Sequence, residues 1–307
     1  MNHEQSSPSS YHIPVMLQEA VEALAIRPDG IYVDCTLGGA GHTKAILSHL
    51  SAKGTLVAFD QDADAVRNLP EDDRVIFVPH NFKHISRFLK LHGIERIDGI
   101  LADLGVSSHQ FDEGSRGFSI RFEGPLDMRM DQRRELTAAE VVQTYSEQAL
   151  QEMFSRYGEV TNAKTLAKHL VASRMASPIQ TIGQLKAVLA SVVKGNPNKY
   201  LAQVFQALRI EVNDELGALR ELLEQLPSLL RQHGRVAFIT FHSLEDRLVK
   251  QFLRAGTWEQ EDENPFAIGA KEKVFQLVHK KPIEPREEEL KSNPRSRSAK
   301  LRVAERL

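Results

Sequence analysis

The amino-acid sequence predicts an α/β fold: a seven-stranded, mostly parallel sheet with a helical module inserted after the fourth strand. Three observations carry this. Four strands alternate with helices between Ile31 and Asp103. A helical stretch then runs from Thr137 to about Ser191. Strand text returns only at Arg235, and the last two strands have no obvious helix between them. Serial βα units build a parallel sheet with helices on both faces. Two strands joined without a helix make an antiparallel pair, placed here at one edge.

Val15 to Leu24 has apolar residues at helical spacing (Leu17, Ala20, Val21, Leu24) and stops at the turn Pro28-Asp29-Gly30. Strand one is Ile31–Asp34, and the helix after it puts Ile46, Leu47 and Leu50 on one face. Strand two, Thr55–Phe59, is followed by a helix, and strand three, Val75–Val78, by one carrying Phe82, Ile85, Phe88 and Leu89. Strand four is Ile97–Ala102, ending in Asp103. Leu104 to Arg134 is rich in Gly, Ser, Arg and Phe without a clean period, and a segment that long without structure is usually functional. Thr137 and Glu140 have capping-box spacing, and Ser146 and Thr181 read as further N-caps. Gly195-Asn196-Pro197-Asn198 breaks the run before one long helix carrying Phe205, Leu208, Val212, Leu216, Leu219 and Leu223. Strand Arg235–Phe241, helix Leu244–Leu253 and strands Val274–His279 and Lys300–Ala304 close the chain. Residues 1–134 and 201–307 thus form one discontinuous domain, with 135–200 as the helical insert.

With 307 residues the chain has ample core for one large domain or two smaller ones. The net charge of −2 exerts no global pull on nucleic acid, so any such contact rests on local basic patches. One cysteine, Cys35, excludes an internal disulfide and a cysteine-rich zinc site; inside a strand it reads as a buried small residue. No pair of histidines or acids has convincing metal spacing. No apolar run approaches a membrane span, and the polar start MNHEQSSPSS has no signal-peptide core, so a cytoplasmic protein without membrane contact is expected.

The stretch Tyr32-Val-Asp-Cys-Thr-Leu-Gly-Gly-Ala-Gly-His42 reads as a strand, a glycine turn and a helix start. Strand two ends in Asp60, placed to accept hydrogen bonds from ribose hydroxyls. A dinucleotide site needs G-x-G-x-x-G for a pyrophosphate. Here the spacing is G-G-A-G-H with Asp34 upstream, expected to face the ligand. A carboxylate there repels a pyrophosphate and suits a cation such as S-adenosylmethionine. The plain alternative is an ordinary strand-to-helix turn with solvated acids. Asp34, Asp60, Asp103 and His242 all fall at carboxyl ends of strands, where open α/β sheets bind ligands. Seven strands with an antiparallel edge is the layout of a class I (Rossmann-like) methyltransferase.

Six motifs then occur in order: His12-Ile-Pro-Val15 with the glycine loop, Asp103-Leu-Gly-Val-Ser-Ser108, Arg116-Gly-Phe-Ser119, Gly124-Pro-Leu-Asp-Met-Arg-Met-Asp131, Phe241-His-Ser-Leu-Glu-Asp-Arg247 and Asn293-Pro-Arg-Ser-Arg-Ser298. In these the chain resembles, over nearly its whole length, the RsmH (MraW) family of ribosomal small-subunit RNA cytosine-N4 methyltransferases. The resemblance implies S-adenosylmethionine as methyl donor, no metal, and as acceptor a cytosine in the decoding region of 16S rRNA in the small subunit. It implies donor contacts at Ala40 (often Gly in the family), Gly41, His42, Asp60, Phe82, Asp103 and Gln110. Phe82 also shares an apolar stripe with Ile85 and Leu89, so core packing stays open, and His42 could be a plain helix-start residue.

Asp103 stands where amino methyltransferases place an acid or amide before Pro-Pro and an aromatic, which makes it the catalytic candidate. Here Leu104-Gly105-Val106 follows instead, so the aromatic clamp for an extracted base must come from elsewhere. Phe111, Phe118, Phe122, Phe241 and His242 are candidates. Ser243 and Asp246 have N-cap spacing, and the role of Glu245 stays open. RNA phosphates are expected at Lys291, Arg295, Arg297, Lys300 and Arg302 and at Arg129, Arg133 and Arg134. The helical insert is expected to recognise substrate. The competing readings are an amino methyltransferase of the same fold acting on DNA or another substrate, and a non-enzymatic RNA-binding assembly factor.

Overall fold

The computed structural model describes residues 14–258 and 273–307. The strands are β1 (Ile31–Asp34), β2 (Thr55–Phe59), β3 (Val75–Val78), β4 (Ile97–Asp103), β5 (Leu230–Thr240), β6 (Phe275–Leu277) and β7 (Lys300–Arg306). They form one sheet in the order β3-β2-β1-β4-β5-β7-β6. Tyr32 pairs with Leu56 and Gly99, and Ile100 with Val236, all in parallel. β7 runs antiparallel to both β5 and β6, with Ala237 opposite Val303 and Gln276 opposite Glu305. The predicted edge pair is present, with the last strand lying between the fifth and sixth.

The helices are α1 (Leu17–Ala23), α2 (Gly41–His49), α3 (Ile85–Leu91), α4 (Ser108–Asp112), α5 (Ala138–Thr144), α6 (Glu147–Gly158), α7 (Ala163–Ala176), α8 (Ile182–Leu189), α9 (Pro197–Asn213), α10 (Glu215–Leu229), α11 (Ser243–Ala255) and α12 (Glu287–Ser292). Alternation along the strands sends side chains to opposite faces. Val33, Val57, Ile100 and Phe238 pack on α3, α10 and α11, whereas Tyr32, Leu56, Leu101 and Ala237 pack on α1 and α2. Helices thus cover both faces, as a parallel sheet requires. A separate apolar core joins α5 to α9, with Leu150, Phe154, Leu166, Leu185 and Leu208 buried in it.

Several expectations change. The helix after β2 is a short 3-10 turn, Ala63–Asn68. The single long helix predicted across Phe205 to Leu223 is two, α9 and α10, broken at Asp214 with φ 51°. Asp tolerates this left-handed conformation better than most residues. The link between β6 and β7 does contain a helix, α12, whose first turn is three glutamates rather than an apolar stripe. Residues of the returning half of the 104–134 segment and of α9 pack into the helical core beside those of 135–200, with Phe118 and Val212 among them. That segment is ordered by Arg116, which is 3% exposed and pairs with Asp62 (2.8 Å) and Asp64 (3.1 Å). Its Nη2 also donates to the Arg129 and Met130 carbonyls.

Candidate functional site

A cavity of about 1180 Å3 opens beyond the carboxyl ends of β1, β2 and β4. That exceeds the roughly 300–1,000 Å3 that a site for one small ligand needs. One end is the glycine loop. Its turn is sewn to the sheet by the Leu37 N–H donating to the Phe59 carbonyl (2.9 Å) and the Cys35 N–H to Leu101 (2.8 Å). Asp60 fastens the turn from the next strand: Gly38 N–H donates to Oδ2 (2.8 Å) and Asp62 N–H to Oδ1 (2.9 Å). Burial pushes the Asp60 carboxyl up to about 6 against these two amides, with Asp62 and Asp34 adding to the rise.

Ala40 caps α2 with φ 61° and is fully buried, behind the cavity lining rather than in it. A left-handed non-glycine residue costs about 1–2 kcal/mol, which explains why glycine suits this position. Gly41 does line the cavity, and a Cβ there would collide with the Pro14 ring. His42 is buried; its Nε2 donates to the Val15 carbonyl (3.1 Å), which turns Nδ1 toward Asp103 Oδ2 at 3.8 Å. Phe82 is half-buried, packing on the sheet core while also lining the cavity. Gln110 lines the cavity too, with its side chain tied at both ends. Ser107 N–H donates to Oε1 (3.0 Å), and Nε2 donates to Asp62 Oδ2 (2.7 Å).

Asp103 ends β4 at the middle of this cavity. Its amide donates to the Thr36 hydroxyl (2.9 Å), fixing it against β1. Its Oδ1 is buried without a hydrogen-bond partner. Burial pushes its pKa well above the usual carboxylate value, and Asp34, Glu245 and Glu289 push it further. A buried acceptor left unpaired is costly, and such an atom in a cleft marks a place for a cationic or N–H-bearing ligand.

The far wall comes from two residues that sequence reasoning missed, Asn213 and Glu215, and from Glu245, whose role it left open. Asn213 accepts from the Met130 N–H (2.7 Å) and donates to the Met128 carbonyl (2.7 Å), tying the α9–α10 break to the 104–134 segment. The signal was the Asn213-Asp214 pair, a helix-stopping dipeptide inside an apolar periodicity. Glu215, His242 and Glu245 offer ligand atoms within 4.8 Å of one another, a trio that sequence spacing did not reveal. Its carboxylates are already engaged: Glu215 takes two bonds from Arg209, and Glu245 accepts the Phe241 and His242 amides. Burial pushes the Glu245 pKa up, but His242, Arg209 and the Phe241 amide outweigh it and hold it below the ordinary value.

Other expected roles do not survive. Asp34 turns inward, fully buried, accepting from Thr36 N–H (3.0 Å) and the Thr43 hydroxyl (2.7 Å); it braces the turn and faces no ligand. His242, rather than Ser243 or Asp246, caps α11, in a capping box with Glu245, and does not line the cavity. Asp246 holds Arg302, which is 7% exposed, so Arg302 is not available to a phosphate. Arg129 is likewise spent on Asp127 and two carbonyls, whereas Arg133 pairs with Asp131 and the Pro79 carbonyl while staying exposed. Lys291, Arg295 and Arg297 are exposed, and Arg295 reaches the cavity lining. Of the motif at 12–15, His12 and Ile13 lie outside the described residues.

The sheet order with its antiparallel β7, the glycine loop after β1 and the acids ending β2 and β4 define a class I, Rossmann-like methyltransferase. A family model described as the MraW methylase family matches residues 9–307. Several relatives carry the name ribosomal RNA small subunit methyltransferase H. That of Parabacteroides distasonis is 52% identical over 97% of this chain and 98% of its own length. That of Amoebophilus asiaticus is 54% identical over 97% and 96%, and that of Porphyromonas gingivalis 50% identical over 99% and 100%. The chain belongs to the MraW methylase family. No helix among the described residues is long and apolar enough to cross a membrane.

Proposed function

We propose that this protein transfers a methyl group from S-adenosylmethionine to the exocyclic N4 amine of a cytidine in the decoding region of 16S rRNA, within the small ribosomal subunit. The single observation that carries the reading is the orphaned, buried Oδ1 of Asp103, held between the glycine loop and the α9–α10 wall. The relatives' shared name supports ribosomal RNA of the small subunit as substrate.

S-adenosylmethionine supplies a methyl group already activated on a sulfonium. Asp60 accepts from the ribose hydroxyls, Phe82 packs beside the adenine, and the loop Ala40-Gly41-His42 shapes the space for the amino-acid end, with Gly41 and His42 at its surface. Gln110 keeps one Nε2–H beyond its bond to Asp62. Asp103 is the natural partner for a positive amino group, which favours its carboxylate form against the burial that raises its pKa. As a carboxylate it also accepts a hydrogen bond from the target amine, whose lone pair is otherwise delocalised into the ring. Alignment of this kind is worth about 7–11 kcal/mol of a barrier. The helical layer, reaching over the cavity through Asn213 and Glu215, recognises the RNA.

The test is methyl transfer to assembled small subunits, naked 16S rRNA and DNA, with the modified nucleoside identified by mass. N4-methylcytidine from the ribosomal substrates is expected, whereas product only on DNA or on no substrate overturns the reading. Asp103→Ala should abolish transfer, and full activity in that variant removes Asp103 from the mechanism. Unchanged donor binding in it places the role of Asp103 at the acceptor.

A further inference from the structure

Beside the donor cavity lies a smaller one of about 220 Å3. Val106 and Phe111 wall it from the segment after β4, Phe118 from that segment's return, and Phe205 and Arg209 from α9. Val106 lines both cavities. The boundary between them also holds an ion pair, with Arg209 lining the smaller cavity and Glu215 the larger. Arg209 Nε lies 2.8 Å from Glu215 Oε1 and Nη2 3.0 Å from Oε2. Each Glu215 oxygen keeps a further lone pair and Arg209 keeps its Nη1 hydrogens, so the boundary still presents an acceptor and a donor side by side. At the rim, the guanidinium carbons of Arg121 and Arg295 lie 5.1 Å and 5.5 Å from the Phe111 ring centroid, and both arginines also pair with Asp112.

We propose that the smaller cavity seats the reacting cytosine base, with the Arg209–Glu215 pair reading its edge. This rests on the cytidine-methylating function proposed above. A base taken out of its stack is held between aromatic or apolar side chains and read along its Watson–Crick edge. Phe111, Phe118 and Phe205 supply the apolar walls, which replaces the aromatic that the sequence lacks directly after Asp103. Cytosine offers an amine donor beside ring acceptors. Glu215 can only accept and Arg209 can only donate, so the pair complements that edge. Uracil presents a carbonyl oxygen where cytosine has its amine, and that oxygen would face the carboxylate with no proton between them. An amine held at this boundary stands at the edge of the donor cavity, where transfer requires it. Arg121 and Arg295 at the rim suit flanking phosphates.

Ala202 is exposed at the lip of the smaller cavity, so Ala202→Trp puts an indole into its mouth without disturbing the core. The experiment compares this variant and Glu215→Gln with the wild type. It measures kcat/KM on small-subunit RNA, S-adenosylmethionine affinity by calorimetry, thermal midpoint, and equilibrium binding of short oligonucleotides carrying one cytidine or one uridine. Ala202→Trp should lower kcat/KM and cytidine-oligonucleotide affinity by about 10-fold or more, with donor affinity and midpoint unchanged. Glu215→Gln, whose amide can donate to a uracil oxygen, should lose the preference for cytidine over uridine. Wild-type kcat/KM and oligonucleotide binding in Ala202→Trp, or a retained preference in Glu215→Gln, overturns the proposal. An inactive wild type would instead sink the underlying function, and the binding measurements would still decide the pocket.

Discussion

Asp60 and Asp103 end strands of one sheet and face one cavity, yet their two oxygens are used differently. Asp60 spends an oxygen on each of two backbone amides, and Asp103 leaves Oδ1 unpaired. Donation by ribose hydroxyls requires the Asp60 carboxylate, whose pKa burial lifts from 3.8 to about 6. S-adenosylmethionine affinity, measured by calorimetry from pH 5 to 8, should therefore be full above pH 6 and weaken below it. Stability runs the other way. The raised folded pKa means that the Asp60 contribution is fully present below pH 3.8 and is lost as pH rises through about 6. Asp60→Asn should cost about 1.5–3 kcal/mol of donor affinity, the range for hydrogen bonds to a charged group. An unchanged dissociation constant would remove Asp60 from the ribose site. Asp60 and Asp103 were legible because strand-end acids follow from strand period. The inward turn of Asp34 was not, since its partners Thr36 and Thr43 claim it only once the loop has closed.

At the scale of elements, the segment from Leu104 to Arg134 shows why an aperiodic stretch can still be rigid. Its order comes from one buried guanidinium, Arg116, anchored on Asp62 and Asp64 of the turn after β2, and from Asn213 at the end of α9. Removing one partner of a buried pair costs about 3–5 kcal/mol because the other charge stays behind. Arg116→Met should lower the free energy of chemical unfolding by that amount and raise amide exchange across the segment. An unchanged unfolding midpoint would refute this anchoring. The division of the predicted long helix into α9 and α10 belongs to the same scale. Apolar spacing continues through Asp214, so periodicity alone cannot see the break that carries Asn213 and Glu215 to the cavity.

Over the whole molecule, a net charge of −2 leaves RNA binding to local arginines and lysines. Arg302 and Arg129 are committed to carboxylates, Arg133 and Arg295 each pair with an aspartate yet stay exposed, and Lys291 and Arg297 are exposed. Lys291→Gln and Arg297→Gln should each flatten the dependence of log affinity on log salt by about 0.7–0.9, one phosphate contact apiece. Arg302→Gln should leave that slope alone and lower thermal stability, because Asp246 would lose its partner. Salt titrations of RNA binding beside melting curves separate these outcomes. If Arg302→Gln changes the slope as much as Arg297→Gln does, the assignment of free and committed charges is wrong.

The sequence by itself determined the βα units, the glycine turn, the acids at the strand ends and the family. Each is written in spacings of a few residues, where backbone period and turn chemistry act. Tertiary structure decided which polar groups still have something to offer. Asn213 meets Met130 across 83 residues of chain, Arg302 meets Asp246 across 56 and Gln110 meets Asp62 across 48. A side chain's partner is fixed by what the fold brings against it. Only after those pairings are made does the buried Oδ1 of Asp103 stand out as an unpaired acceptor, and only then do Arg209 and Glu215 form the boundary between two cavities.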